Sequence, residues 1–337
     1  MVVKIAESRF KKILITGGAG YVGSELTSSL LNKGYNVKVF DLYIYGEVFK
    51  DIKNSNLTKI KGDIRDKNML IKATKDVDAV IHLACISNDP SFELDPKLGK
   101  SINYDAFFNV VEAARINNVK RFIYASTSSV YGVKTERNVV EEMPLEPLTD
   151  YSKFKASCES VLQNIKDMDM EWTIIRPATV CGYSKRLRLD LVVNLLTINA
   201  LINKKIRVIG GNRLRPNINI KDMVGAYELL LSAPGKKING QIFNAGYQNL
   251  TVTEIANLVK EVYGHPDLVI EHVPTNDIRS YHINSDKIKR VLGFEAKFTV
   301  EDAIKDLIDA FNRGLIKDGL NNSLYWNVKR MQELNLR

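Results

Sequence analysis

The stretch Lys12-Ile13-Leu14-Ile15-Thr16-Gly17-Gly18-Ala19-Gly20-Tyr21-Val22-Gly23 limits what this chain can become more than any other. A short apolar run reaches glycines at three-residue spacing, Gly17, Gly20 and Gly23, and an amphipathic pattern begins at once. This is the signature of a buried strand, a tight turn and the start of a helix. Glycine in the turn tolerates positive φ and, lacking a side chain, lets backbone N–H groups approach a pyrophosphate. Gly23 lets the helix lie close on the strand. An ordinary strand-to-helix turn with incidental glycines has the same local look, so the context must decide.

Downstream, strand and helix patterns alternate. Ser24 to Lys33 reads as a helix stopped by Gly34, and Asn36-Val37-Lys38-Val39-Phe40 as a strand ending at Asp41. An acid roughly 20 residues past the glycines can accept hydrogen bonds from adenosine ribose hydroxyls. It also repels a 2′-phosphate, which favours NAD over NADP; the structural alternative is a turn cap. Leu57 to Lys61 gives a third strand, running into Gly62-Asp63-Ile64-Arg65-Asp66. Ala79 to Ala84 gives a fourth, and a helix from Asp105 to Asn117 leads to a fifth, Arg121 to Ala125. Successive β-α units without repeats or linker runs predict an α/β fold, a Rossmann-type doubly wound parallel sheet.

Composition narrows the function classes. At 337 residues there is room for one large α/β unit or two domains. No apolar run reaches the ~18 residues of a membrane span, and residues 1–11 lack the apolar core of a signal peptide. A cytoplasmic protein without a membrane partner is expected. Cys85, Cys158 and Cys181 are widely spaced and odd in number, fitting neither a disulfide framework nor a metal knuckle. His82, His265, His272 and His282 are not at ligand spacing, so no metal is expected. The net charge of +9 raises the question of nucleic acid. The basic residues are scattered, however, with no five-residue basic run. No nucleic-acid partner is expected, and arginines at anionic substrate groups account for the bias.

The chemistry follows the fifth strand. Ser126-Thr127-Ser128-Ser129-Val130-Tyr131-Gly132 stands at the carboxyl edge of the sheet, where ligands bind in such folds. Further on, Tyr151-Ser152-Lys153-Phe154-Lys155 puts a tyrosine and a lysine at i and i+4, on one helix face. A phenol ordinarily titrates near ~10. A neighbouring ammonium favours the phenolate, so Tyr151 can act as a general base. A Ser or Thr hydroxyl opposite it would orient a substrate alcohol. A Tyr–Lys pair alone is common on helix surfaces; behind a dinucleotide fingerprint it is a catalytic candidate.

These residues together resemble the extended short-chain dehydrogenase/reductases, in the NAD-dependent nucleotide-sugar epimerase/dehydratase branch. The resemblance runs from about Lys12 to Phe311. It implies NAD held by Gly17, Gly20, Tyr21, Val22, Gly23 and Asp41, with Asp63 and Ile64 flanking the adenine. Leu83, Ala84 and Asn103 would lie near the cofactor. It implies Tyr151 as base, Lys155 bridging Tyr151 and the nicotinamide ribose, and Thr127 on the sugar hydroxyl. In such enzymes a nucleotide-diphosphate sugar is oxidised, usually at C4. The 4,6-dehydratases of the family carry Asp and Glu where this chain has Ser128 and Ser129. Hydroxyls are too weakly acidic to replace them, which disfavours dehydration and leaves the two serines as substrate contacts. An NDP-sugar 4-epimerase and a net 4-dehydrogenase use the same remaining groups, and both stay open. A catalytically idle NAD-binding regulator is the weaker alternative.

The second half supplies the substrate side of the resemblance. Thr179 stands where classical members place Asn. The segment from Ala178 to Asn194, with Arg186, Asp190 and Asn194, is partly similar to a subset acting on GDP-linked heptoses. Arg215 and Arg279 match family arginines that grip the substrate diphosphate; guanidinium suits such contacts. Asp222 is expected to close a structural hydrogen-bond network, and Thr251-Val252-Thr253-Glu254 to form a capping box. Residues 1–180 with about 217–247 would form the cofactor domain, and 181–216 with 248–315 a substrate cap. Residues 316–337 receive no role. The family resemblance also implies a homodimer through the helices after Asn103 and around Tyr151.

Overall fold

Apolar runs flanked by glycine and polar turns bury as strands when both their faces are covered. The computed structural model describes residues 9–136, 138–165, 169–276 and 280–336. Its strands in chain order are β1 Lys12–Thr16, β2 Asn36–Asp41, β3 Leu57–Lys61, β4 Ala79–His82, β5 Arg121–Ala125 and β6 Glu171–Pro177. There follow β7 Thr179–Cys181, β8 Lys205–Ile209, β9 Leu214–Asn219, β10 Gln241–Ala245, β11 Gln248–Thr251 and β12 Val269–Val273. Seven of them form one parallel sheet in the order β3-β2-β1-β4-β5-β6-β10. The expected doubly wound architecture is present. Between β1 and β4 the strand order reverses, and ligands of such sheets bind at the carboxyl ends there.

The alternation of β1 shows how both faces are filled. Ile13 and Ile15 pack with Leu26 and Leu30 of helix Tyr21–Asn32 and with Met223 and Tyr227 of helix Ile220–Ser232. Leu14 points the other way, to Phe107 and Val110 of helix Ala106–Ile116 and to Cys158 and Leu162 of helix Asp150–Asn164. Each such buried aliphatic side chain contributes about 1.5–3 kcal/mol. A second, smaller assembly joins β7, β9 and β11 in one sheet and pairs β8 with β12. Helices Val192–Asn203, Val252–Tyr263 and Val300–Asn312 close its core. The capping box is formed: Thr251 Oγ1 accepts from Glu254 N at 3.1 Å, and Glu254 Oε2 from Thr251 N at 2.7 Å. Asp222 Oδ2 accepts from Lys297 N at 2.9 Å and Phe298 N at 2.8 Å, tying the two assemblies together. No described helix is long and apolar enough to cross a membrane.

Three boundaries differ from the sequence pattern. The first helix starts at Tyr21 rather than Ser24, because extended Gly20 caps it and Tyr21 to Gly23 already form its first turn. β4 stops at His82, since Leu83 and Ala84 pass beneath the glycine turn. The helix expected from Asp105 begins at Ala106, after a wide π turn over Ser101–Asp105. The last residues, given no role above, form a turn Ser323–Tyr325 and a helix Asn327–Leu334 with Met331 buried.

His82 ends β4 fully buried, its Nδ1 2.6 Å from Thr16 Oγ1 at the end of β1. Burial, then the charge of Lys155, pushes its pKa down to about 3. The folded protein therefore holds it neutral where the unfolded chain binds a proton. Its contribution to stability is complete above about pH 6.5 and is lost as pH falls from there toward 3, at up to about 1.4 kcal/mol per pH unit. His82→Gln should flatten the wild-type slope of urea-unfolding free energy between pH 6 and 4. Parallel slopes in the two proteins would show that His82 does not set it.

Candidate active site

The site grows from the glycine turn. Gly17 has φ +72°, and a Cβ there would stand 2.6 Å from Ala84 N. One on Gly23 would stand 2.4 Å from Gly17 O, so the helix rests directly on the turn. The first N–H groups of that helix have no intrahelical acceptor. Gly20 caps it without a side-chain bond, and its first turn carries no acid. The result is a backbone cradle for an anion at the positive end of a helix. Asp41 closes one side, with Oδ2 accepting from Ala19 N at 2.9 Å and Oδ1 from Tyr43 N at 2.8 Å. Burial raises its pKa, while these two N–H groups and the charge of Arg186 work against the rise. Gly17→Ala should cost about 1–3 kcal/mol through backbone strain alone. It should also abolish the thermal stabilisation that added NAD gives the parent protein; an unchanged NAD-induced shift in Tm would contradict this geometry.

The catalytic candidates converge at the ends of β4 and β5. Thr127 Oγ1 lies 3.0 Å from Ser129 Oγ, and the Thr127 hydroxyl is near enough to Tyr151 to act on its phenol. Lys155 is buried on the same helix, and its Nζ donates to Ala125 O at 2.8 Å. Burial, then Cys85 and Asp89, push the Tyr151 pKa well above its ordinary value. Arg188 and the Thr127 hydroxyl oppose that rise. Arg188 is a cation at the base that the sequence pattern did not reveal. Its Nε donates to Asp190 Oδ1 at 2.8 Å, and Asp190 Oδ2 accepts from Asn88 Nδ2 at 3.1 Å. Asn88 caps the short helix Asp89–Glu93, and Asp89 accepts from Thr149 Oγ1 at 2.6 Å. Thr149 in turn caps helix Asp150–Asn164. Two hydrogen-bonded runs, joined by the peptide between Asn88 and Asp89, thus connect Arg188 to the helix that carries Tyr151.

The other candidates are placed as follows. Asn103 is buried and clamps Ile86 through both backbone groups, at 2.8 and 2.9 Å, fixing the loop beyond Ala84. Val22 follows Tyr21 in the first turn of the cradle helix, and Leu83 N donates to Thr16 O at 3.0 Å. Tyr21 turns its phenol away from the cradle and donates to Gly182 O at 2.6 Å. Asn194, expected at the substrate, is fully buried. Its Oδ1 accepts from Gly182 N at 2.9 Å, and its Nδ2 donates to Arg188 O at 2.8 Å and Tyr21 Oη at 3.1 Å. Its amide is spent on holding the loop before it. Ile64 is buried in the core, and Asp63 chelates Arg65 of its own turn. Ser128 is buried while Ser129 is half-buried beside Thr127. Thr179 lies in β7 opposite Asn217. Arg215 is half-buried in β9, and Tyr281 N bonds to the neighbouring Leu214 O at 3.0 Å. Arg279 lies outside the described residues.

Known proteins share the sequence pattern and the fold. The model of the NAD dependent epimerase/dehydratase family matches residues 13–246. The UDP-glucose 4-epimerase of Bacillus subtilis is 28% identical, over 87% of this chain and 95% of that protein. Among solved structures, the UDP-glucose 4-epimerase of Thermotoga maritima with UDP-glucose superposes with TM-score 0.80 and 26% identity, over 90% of this chain and 99% of that one. MoeE5 in complex with UDP-glucuronic acid and NAD gives TM-score 0.78 and 26% identity over the same shares.

Proposed function

The chain belongs to the NAD dependent epimerase/dehydratase family, and from that premise we propose that it is an NDP-sugar 4-epimerase. The glycine cradle, the open helix N-terminus and Asp41 fit NAD, with the pyrophosphate at the cradle and the adenosine ribose at Asp41. NAD, when bound, supplies an oxidised nicotinamide able to take a hydride from sugar C4 and return it. Tyr151 takes the proton of the C4 hydroxyl and later gives it back. Thr127, beside Tyr151, orients that hydroxyl. Arg215 is the described residue best suited to the substrate diphosphate.

The observation that carries the proposal is Thr127 and Tyr151 brought together beyond the carboxyl end of β5, beside Ser128 and Ser129 rather than carboxylates. The relatives named as 4-epimerases support it. The test is incubation of purified protein with UDP-, GDP-, CDP- and dTDP-sugars, with products followed by mass and NMR. A product of unchanged mass with an inverted C4 coupling is expected. A loss of the mass of water would overturn the proposal in favour of dehydration, and a loss of two hydrogens in favour of net dehydrogenation. The protein is also proposed to dimerise. Phe108 and Ile116 on helix Ala106–Ile116 are 43% and 50% exposed, and Tyr104 meets Phe108 edge to face and lies tilted against Phe154. Light scattering should give twice 38.0 kDa; the mass of one chain would remove the dimer.

A further inference from the structure

The loop 182–190 leaves the second assembly and settles on the first turns of helix Tyr21–Asn32. Ser184 Oγ donates to Tyr21 O at 2.8 Å and lies 2.9 Å from Ser24 Oγ, while Lys185 N donates to Glu25 Oε1 at 2.9 Å. Arg186 is thereby carried to the Asp41 side of the glycine cradle, where its charge acts on the Asp41 carboxylate. It is 3% exposed and lies flat on Tyr45, with Cζ 3.6 Å from the ring centroid. Its Nε and Nη1 find no hydrogen-bond partner among the described residues. Its Nη2 donates to Asn327 Oδ1.

Asn327 belongs to the C-terminal segment and is itself 2% exposed. Its Nδ2 bonds Ser87 Oγ, beyond β4, at 3.1 Å. Two more bonds seat the segment: Leu189 N to Tyr325 O at 2.9 Å, and Arg330 Nε to Ile44 O, beyond β2, at 2.5 Å. The chain's last helix thus bridges the loops after β2 and β4, which flank a bound dinucleotide in this fold. A guanidinium buried with open donors is unfavourable until an acceptor, best an anion, meets them. The same burial pulls its pKa down to about 10.

We propose that Arg186 is a cofactor-binding residue whose open N–H groups take diphosphate oxygens of NAD, and that the C-terminal segment, through Asn327, holds it there so that NAD stays on the protein between turnovers. This replaces its expected place among the substrate contacts. The inference rests on the proposed reaction only for its purpose, since an enzyme that returns its hydride has no need to exchange cofactor.

The test reads NAD itself. Wild type, Arg186→Gln, Arg186→Lys and Asn327→Ala are passed through gel filtration, and the nucleotide extracted from the protein peak is quantified. Loss of a charged hydrogen bond predicts an NAD dissociation rate raised by about 10-fold or more in Arg186→Gln, with smaller rises in Arg186→Lys and Asn327→Ala. The KM for the nucleotide sugar should stay within about twofold, a change of under half a kcal/mol. An Arg186→Gln protein that keeps NAD as wild type does would overturn the proposal. So would a rise in sugar-nucleotide KM with NAD retention intact, which would assign Arg186 to the substrate diphosphate. If Arg186→Gln does not fold, Asn327→Ala decides: wild-type retention there overturns the clasp. Faster NAD loss in a protein that epimerises no sugar would sink the proposed function and leave this inference standing.

Discussion

Tyr151→Phe should lower turnover by about 10²–10⁴-fold, the usual worth of a positioned proton-transfer group. It should leave bound NAD in place, because the cradle is built from the backbone around Gly17 and from Asp41. The substitution removes one oxygen and keeps the ring, so packing against Phe154 and its neighbours in the core survives. The effect has a pH signature. The Tyr151 phenol is raised by burial, then by Cys85 and Asp89, and held back by Arg188 and Thr127. The reacting form is the phenolate, so the wild-type rate must rise with pH along its acid limb. Removing Arg188 takes away a cation that stabilises the phenolate. Arg188→Gln should therefore move that limb to higher pH, while Tyr151→Phe should flatten it. A Tyr151→Phe enzyme within tenfold of wild type, with the limb intact, would assign the base elsewhere. Single-turnover measurements with enzyme in excess separate this from any change in product release.

What could be read in advance was local. The cradle glycines, Asp41, and the Tyr151–Lys155 spacing each lie within one turn, strand or helix, and their chemistry follows from that short-range geometry. The parallel sheet was legible for the same reason, since each strand announces itself by its own apolar run. Arg188 was not legible. Its role depends on a loop of the second assembly folding back so that its Asp190 meets Asn88. Nor was the C-terminal segment: 141 residues separate Arg186 from Asn327, and no spacing rule links them. Asn194 is a case where long-range contacts add what a local pattern does not show. Expected at the substrate, it has its amide bonded to Gly182, Arg188 and Tyr21. Lys155 is subtler. It shares the helix face of Tyr151 as its spacing required, yet its ammonium is bonded to Ala125 O.

The same distinction between local and distant contacts applies to the largest expected loss of stability, that of Glu159→Ala. Glu159 on the Tyr151 helix is fully buried, and Arg176 on β6 is 2% exposed. Arg176 Nη2 donates to Glu159 Oε2 at 2.6 Å and Nε to Oε1 at 3.0 Å, and Nη1 donates to Tyr131 Oη at 2.7 Å and Glu141 O at 3.0 Å. Ser126, immediately before Thr127, donates its hydroxyl to Glu159 Oε1. Truncating the carboxylate leaves a buried guanidinium without its anion, which costs about 3–5 kcal/mol. Urea unfolding should show that loss as a lower midpoint at unchanged slope; a change below about 1 kcal/mol would mean that water reaches Arg176. The pair also joins the helix of Tyr151 and Lys155 to the turn of Thr127, so its value is not only thermodynamic. Replacing both charges, in Glu159→Leu with Arg176→Met, removes the orphaned cation and should recover most of the midpoint. Turnover should not recover with it, because Ser126 still lacks its acceptor and the two halves of the site lose their common tie. Recovery of both would reduce the pair to a matter of packing; recovery of stability alone would identify it as the element that holds base and hydroxyl in register.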